Sequence, residues 1–175
     1  DDRIVYSSSI ASSDETTQVF QILADANITS LKFFANAVDT ETSGIDVVVD
    51  VPGVELGPGE LDINVAANFS DTEIVGAIAT PAPIAAAGVN LFDRKEQSRI
   101  ETARPSQKMT LGLTYRVGKL SVALNNTRFG EVTWRHAGGD ATKDYDDTTD
   151  QTFSAKVLTD LLLNYQVNDM FGINL

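Results

Sequence analysis

Alternation of apolar and polar residues in steps of two constrains this chain more than any other feature. Leu61, Ile63, Val65, Ala67 and Phe69 stand at odd positions, with Asp62, Asn64, Ala66 and Asn68 between them. Successive side chains of a strand point to opposite faces, whereas a helix returns to one face every ~3.6 residues. The run therefore predicts a strand with one apolar and one hydrated face. Ile45, Val47, Val49 and Val51 alternate in the same way with Asp46, Val48 and Asp50. The stretch between the two runs, residues 52–60, contains Pro52, Gly53, Gly57, Pro58 and Gly59 and reads as the turn of a hairpin.

Two further hairpins follow the same rule. Met109, Leu111, Leu113, Tyr115 and Val117 lead through Gly118 and Lys119 to Leu120, Val122 and Leu124, in a strand expected to run on to Trp134. Phe153, Ala155, Val157, Leu161, Leu163, Tyr165 and Val167 form the next run. A turn near Asn168 and Asp169 precedes Phe171, Ile173 and Leu175. A short strand from Ile4 to Ser9 leads in. The fold class expected is all-β, an antiparallel meander of about seven strands read as one unit over residues 1–175.

Connection lengths separate into two classes. The turns near 52–60, 117–119 and 167–170 are compact, whereas 10–32, 71–100 and 136–151 are long. Residues 18–28 predict a short amphipathic helix, and residues 83–88 a helical turn closed by Gly88. Short turns at one end of a meander and long loops at the other describe a transmembrane β-barrel. The runs 61–69, 109–117 and 153–167 approach or exceed the ~9–11 residues needed to cross a bilayer. Strands in soluble proteins are nearer ~5–6 residues. A soluble sheet, as a secreted or cell-surface β-sandwich binding module without catalysis, is the other reading of this pattern.

Composition narrows the function classes. The 175 residues carry 13 Lys and Arg against 25 Asp and Glu, a formal charge of −12, which argues against a nucleic-acid partner. No cysteine is present, which excludes disulfides and thiolate metal sites, and His136 is the single histidine. No apolar run reaches the ~20 residues of a membrane-spanning helix. Gly-x-Ser-x-Gly, phosphate-loop and HExxH signatures are lacking, so the chain is read as no enzyme. The abundance of Asp and Glu leaves a glycosidase-type carboxylate pair open. Asp1 and Leu175 read as cuts in a longer protein.

Several stretches resemble the TonB-dependent outer-membrane receptors. Residues 33–46, from Phe33 and Phe34 through Asn36, Asp39, Thr40 and Thr42 to Gly44, Ile45 and Asp46, are similar to a recurring strand of that family. The segment 91–101, followed by Arg104 and Pro105, resembles its Arg-Pro-containing strand. Residues 126–132 and 153–160, with Tyr165, resemble later strands. The resemblance covers most of residues 33–175 in the family's order. It implies a late portion of the barrel wall, without the plug, the energy-coupling box or the closing strand, in the bacterial outer membrane. The implied partners are the remaining barrel and plug, outer-membrane lipid and a small ligand such as a ferric siderophore. No cofactor is implied. The isolated chain is expected to oligomerise, swap strands or repack, because an open sheet leaves unpaired edges.

Candidate site residues lie in the long connections. Asp140, Asp144, Asp146, Asp147 and Asp150 offer oxygen ligands of the kind Ca²⁺ takes, but the EF-hand glycine and terminal glutamate are missing, and a solvated charge cluster is the simpler reading. Trp134, Arg135 and His136 stand where a strand meets that loop, as ligand contacts or as an interfacial aromatic anchor with polar rim residues. Tyr115 and Tyr165, near the short turns, would form the opposite girdle. Arg94, Lys95, Arg99 and Arg104 interrupt the acidic chain and either attract an anionic ligand or pair across strands with Glu96 and Glu101. Arg116, Arg128, Lys156 and Asp160 fit inward-facing positions of a barrel.

Overall fold

The computed structural model describes residues 2–11, 18–76, 82–86, 91–137 and 149–175. In chain order these form β1 (Asp2–Tyr6), β2 (Ile10–Ala11), α1 (Gln18–Asp25), β3 (Ser30–Leu31), β4 (Phe34–Leu56), β5 (Gly59–Val75), α2 (Ala82–Ala86), α3 (Arg94–Glu101), β6 (Gln107–Val117), β7 (Leu120–Phe129), β8 (Val132–Trp134), β9 (Gln151–Phe153), β10 (Lys156–Gln166) and β11 (Gly172–Asn174). Seven strands make one sheet in the order β1-β4-β5-β6-β7-β10-β11, and β2 with β3 and β8 with β9 form separate pairs. Pairing is antiparallel from β5 through β6, β7 and β10 to β11, and between β1 and β4. The antiparallel meander expected from period two is present. Among the described residues β1 and β11 do not pair with each other, so the sheet is open.

The chain divides into two compact units. The first comprises Asp1–Thr42, Thr72–Arg104 and Thr133–Thr152; the second comprises Ser43–Asp71, Pro105–Val132 and Phe153–Leu175. All three long connections belong to the first unit, residue 71 excepted, and all three short turns to the second. Strands β4 and β5 contribute residues to both.

The first unit has a conventional core. Val5, Val38 and Phe92 are buried together with Ile74 and Ile100 against them, and Ile10, Leu23 and Leu91 form a second cluster with Phe33 and Ile84. Leu91 and Phe92 are each 1% exposed, which fixes the entry to α3. The segment 91–101, read from its resemblance as a strand, is a helix from Arg94 onward. Asp93 caps it by accepting the Glu96 amide at 2.9 Å, an Asp-x-x-Glu start, and the Arg-Lys-Glu-Gln composition favours helix over strand. Helix α1 is closed just beyond its end by Asn27, whose φ of 57° lets the Ile28 amide reach back to the Leu23 carbonyl at 2.8 Å.

In the second unit no residue is buried. Register places Leu61, Ile63, Val65 and Ala67 opposite Tyr115, Leu113, Leu111 and Met109. Leu113 and Tyr115 face Leu124 and Val122, which in turn face Leu161 and Leu163. Tyr165 pairs with Ile173, and Leu163 exchanges backbone hydrogen bonds with Leu175. One face is thus a continuous apolar surface from β5 to β11, with Leu161 58% exposed. The other face carries most of the charged and amide side chains, with Val48, Phe129, Leu158 and Leu162 among them. Asp62 pairs with Arg116, Asp50 accepts from Asn64, and Asp46 accepts from Asn68 at 2.6 Å. Those contacts put Asp46 and Asp50 on the polar side and, by alternation, Ile45, Val47, Val49 and Val51 on the apolar one.

Several details differ from the sequence reading. The lead-in strand is Asp2–Tyr6 and not 4–9. The run from Phe153 breaks at Ser154 and Ala155, with Phe153 in β9 and the long strand starting at Lys156. The first hairpin turns at Gly57 and Pro58 alone, because β4 continues through Pro52 and Gly53. Gly53 takes φ 67° and donates its amide to Asp62 at 2.9 Å, a local irregularity that a β1 pairing confined to residues 34–39 leaves room for. Strand β7 stops at Phe129, where the Gly130 amide turns to the Gln107 carbonyl, and Val132–Trp134 is a separate strand. Arg128 is opposite Met109 and Val157 and so belongs to the apolar face, bonded to Gln107 at 3.5 Å, whereas Arg116 and Asp160 lie on the polar one.

Replacing the helix cap, Asp93→Ala, is expected to destabilise the first unit by about 1 kcal/mol. Denaturant titration followed by fluorescence of Trp134, the only tryptophan, measures it.

Candidate functional site around helix α3

Helix α3 brings together Arg94, Lys95, Arg99, Trp134, Arg135, His136 and Asp150 of the residues singled out by the sequence. Its Arg94 makes a two-pronged contact with Asp150, at 3.1 and 2.8 Å, and Asp150 also accepts the His136 amide at 3.0 Å. One turn further, Arg99 donates to Glu96 at 2.7 Å and lies over the Trp134 ring at 5.4 Å from its centre. At the end of the helix Glu101 accepts from Arg135 at 2.8 Å through one oxygen and from the Ile74 amide at 3.3 Å through the other. The Thr133 amide donates to the Thr102 carbonyl, and the Thr102 hydroxyl returns a bond to the Thr133 carbonyl at 2.7 Å. Arg94, Arg99, Trp134, Arg135 and His136 therefore meet on one surface of the first unit.

Local sequence explains the convergence. Arg94, Arg99 and Glu101 are spread over a two-turn helix whose start is fixed by Asp93, and Val132–Trp134 delivers Trp134 and Arg135 alongside. The connection 136–151 departs at His136 and returns at Asp150, both ends held through the same carboxylate. The basic residues find partners as expected, but Arg99 with Glu96 does so within one helix rather than across strands. Arg104 makes no ion pair among the described residues.

Electrostatically the surface is a set of short pairs with one imbalance. Burial pushes the Asp150 carboxyl upward. The His136 amide, the Arg94 hydrogen bond and the charges of Arg94 and Arg135 outweigh it and hold the group below the usual carboxylate range. Glu96 is 3% exposed and is approached by three cations: Arg99 on one oxygen, with Lys32 at 3.6 Å and Lys95 at 3.9 Å from the other. Glu96 is expected from sequence as a partner of the basic residues, but Lys32 is not. Lys32 is 64 positions from Glu96 in the chain, and only the packing of residues 32–34 beside α3 joins them.

The calcium reading falls on Asp140, Asp144, Asp146 and Asp147, which lie outside the described residues. Asp150, the fifth member, is occupied by Arg94. Among the described residues no group of three or more His, Asp or Glu side chains is placed to hold a metal. A separate cavity of about 530 Å³ in the second unit is lined by Gly44, Ile45, Phe69, Asp71, Ser106 and Gln107 among others; it offers one carboxylate and no cation.

Asp150 gives a pH prediction with a defined sign. Its carboxyl is lower in the folded chain than in the unfolded one, so its contribution is complete above the unfolded value of about 3.9 and is lost as pH falls through the folded value. Asp150→Asn is expected to lower the Tm of the Trp134 transition at pH 7, and the gap to the parent should close on acidification below about pH 4. Compared with protein-family models, curated proteins and solved structures, the chain matches none.

Proposed function

We propose that this chain is a portion of the wall of an outer-membrane β-barrel, in a receptor of the TonB-dependent kind that takes up a small nutrient such as a ferric siderophore. Its partners would be the remaining strands and plug of that barrel, outer-membrane lipid and the ligand. The observation that carries the membrane reading is the uncovered apolar face of the second unit. Soluble monomers rarely expose contiguous apolar patches beyond a few hundred Å². Here the patch runs over successive strands, and no residue of that unit is buried.

The dimensions support a lipid neighbour. From Met109 to Val117 the apolar positions span roughly 27 Å along the strand, or about 20 Å of depth at the tilt of barrel strands. Arg128 in the row of Met109, and Asn126 and Thr159 in the row of Leu111, bring polar groups into the end of the band nearest Gln107, with Asn126 bonded to Thr159 at 2.7 Å. Tyr115 and Tyr165 bound it toward the short turns, and the Tyr115 hydroxyl donates to the Leu56 carbonyl at 2.9 Å. The opposite face, with its Asp62–Arg116 pair and Asp–Asn contacts, suits a hydrated lumen. Beyond the β1 pairing at residues 34–39, the β4 edge has no strand partner among the described residues apart from β5. Lipid cannot satisfy such an edge, so further strands are required. A β-sandwich module would need a second layer over the apolar face, and none covers the described residues of this unit. The receptor half of the proposal draws on the family resemblance and on the basic surface of α3.

Vesicle flotation tests the reading. The parent chain should float with phospholipid vesicles. Leu113→Arg and Leu124→Arg should shift it toward the aqueous fraction, each by about 2–4 kcal/mol of insertion energy if near mid-depth. Thr114→Arg, on the polar face, should float like the parent. A parent chain that stays monomeric in buffer without lipid or detergent would overturn the proposal.

A further inference from the structure

We infer that Lys32, Lys95, Arg99 and Glu96 form a binding site for small hydroxycarboxylate anions. The starting point is an electrostatic imbalance. Arg94 is matched by Asp150 and Arg135 by Glu101, but Lys32, Lys95 and Arg99 share the single carboxylate of Glu96. The cluster therefore holds three positive charges against one negative in a chain of net charge −12. Local positive potential of this kind concentrates anions even where the whole molecule is negative.

The second observation concerns Glu96 itself. Its Oε2 accepts from Arg99 at 2.7 Å. Its Oε1 is buried and has no hydrogen-bond partner, because the Lys32 and Lys95 ammoniums stand at 3.6 and 3.9 Å, within ion-pair range but beyond hydrogen-bond length. A buried acceptor left in that state is costly, and a donor placed there removes the cost. The site therefore asks for two things side by side: a donor for Oε1, and acceptors for two ammoniums with unspent N–H groups. A hydroxyl next to a carboxylate offers both. A plain dicarboxylate offers only acceptors at neutral pH and would leave Oε1 unmet.

The surroundings favour a ligand over a purely internal contact. The Lys32 and Lys95 side chains keep 27% and 29% of their surface exposed, and that of Arg99 keeps 45%. Lys32 also lies over the Tyr6 ring at 5.4 Å, and Arg99 over Trp134, so aromatic faces restrain two of the three cations. Restrained cations lose less freedom on binding. The site belongs wholly to the first unit and stands whether or not the sheet of the second unit faces lipid, so the flotation experiment and the one below fail independently.

L-malate and succinate differ by one hydroxyl and make the test. With the full chain in dodecyl maltoside, titration followed by Trp134 fluorescence and backbone amide shifts should show malate binding at least about fivefold tighter than succinate. Lys32→Ala combined with Lys95→Ala should weaken malate by about tenfold or more, consistent with loss of charge-assisted contacts. Lys156→Ala, which removes an exposed charge in the second unit, should leave binding unchanged. Equal affinity for the two acids, equal loss in the Lys156 variant, or no saturable shift at residues 94–99 would each overturn the inference. Both lysines are partly exposed and their removal leaves Glu96 paired with Arg99; an unchanged Trp134 melting transition verifies that the fold is intact.

Discussion

The antiparallel backbone ladder is the constraint on which the rest of this structure depends. Once β5, β6, β7 and β10 pair in their observed register, every side chain is assigned to one of two faces with no freedom to move. Leu61, Leu113, Leu124 and Leu161 then lie on one transverse row or next to it, and Asp62, Thr114 and Ala123 on the other side. A slip of one residue would exchange the two sets. The hydrophobic effect that normally selects register by burying one face finds no protein layer over the second unit among the described residues, which makes the nature of the medium against that face the central physical question.

The two units solve the problem of apolar residues differently. In the first, Phe92, Leu91, Val38 and Ile10 are removed from water by other parts of the same chain, and α3 is anchored through its cap and through Ser8, whose amide donates to the Leu91 carbonyl and whose hydroxyl accepts from the Asp93 amide. Charged groups at its surface are arranged in short pairs. In the second, stability within the chain comes from backbone hydrogen bonds and cross-strand contacts alone, and the polar side chains are paired laterally, as Asp50 with Asn64 and Asp46 with Asn68. One unit resembles a small soluble domain in its packing; the other presents its apolar side chains outward.

Much of the sheet was legible from sequence because period two is a local signal. The runs 61–69 and 109–117 are strands with the predicted faces, and the turns at Gly118–Lys119 and near Asn168 fall where glycine and asparagine place them. The breaker-rich stretch 52–60 misled, because Pro52 and Gly53 mark an irregularity within a strand rather than its end. Helix α3 was missed for a different reason. Residues 91–101 resemble a family strand, whereas the Asp93-x-x-Glu96 start and the charged composition are those of a helix, and a capping signal is as local as alternation. Arg128 misled because a charge in an alternating strand was assigned to the hydrated side, whereas register puts it at the border of the apolar one. The cluster around Glu96 depends on Lys32 reaching α3 across the fold, and no local pattern encodes that contact. The grouping of Arg94, Arg99, Trp134 and Arg135 was likewise invisible before the helix was known.

The most direct test of a lipid-facing sheet is spin-label accessibility along β6 in phospholipid vesicles, with labels placed singly from residue 107 to residue 117. A sheet set in a barrel wall predicts an alternating record: positions 109, 111, 113 and 115 accessible to dissolved oxygen and shielded from a water-soluble nickel reagent, with the even positions reversed. Odd positions open to the nickel reagent, or closed to both reagents as in a packed protein core, would contradict it.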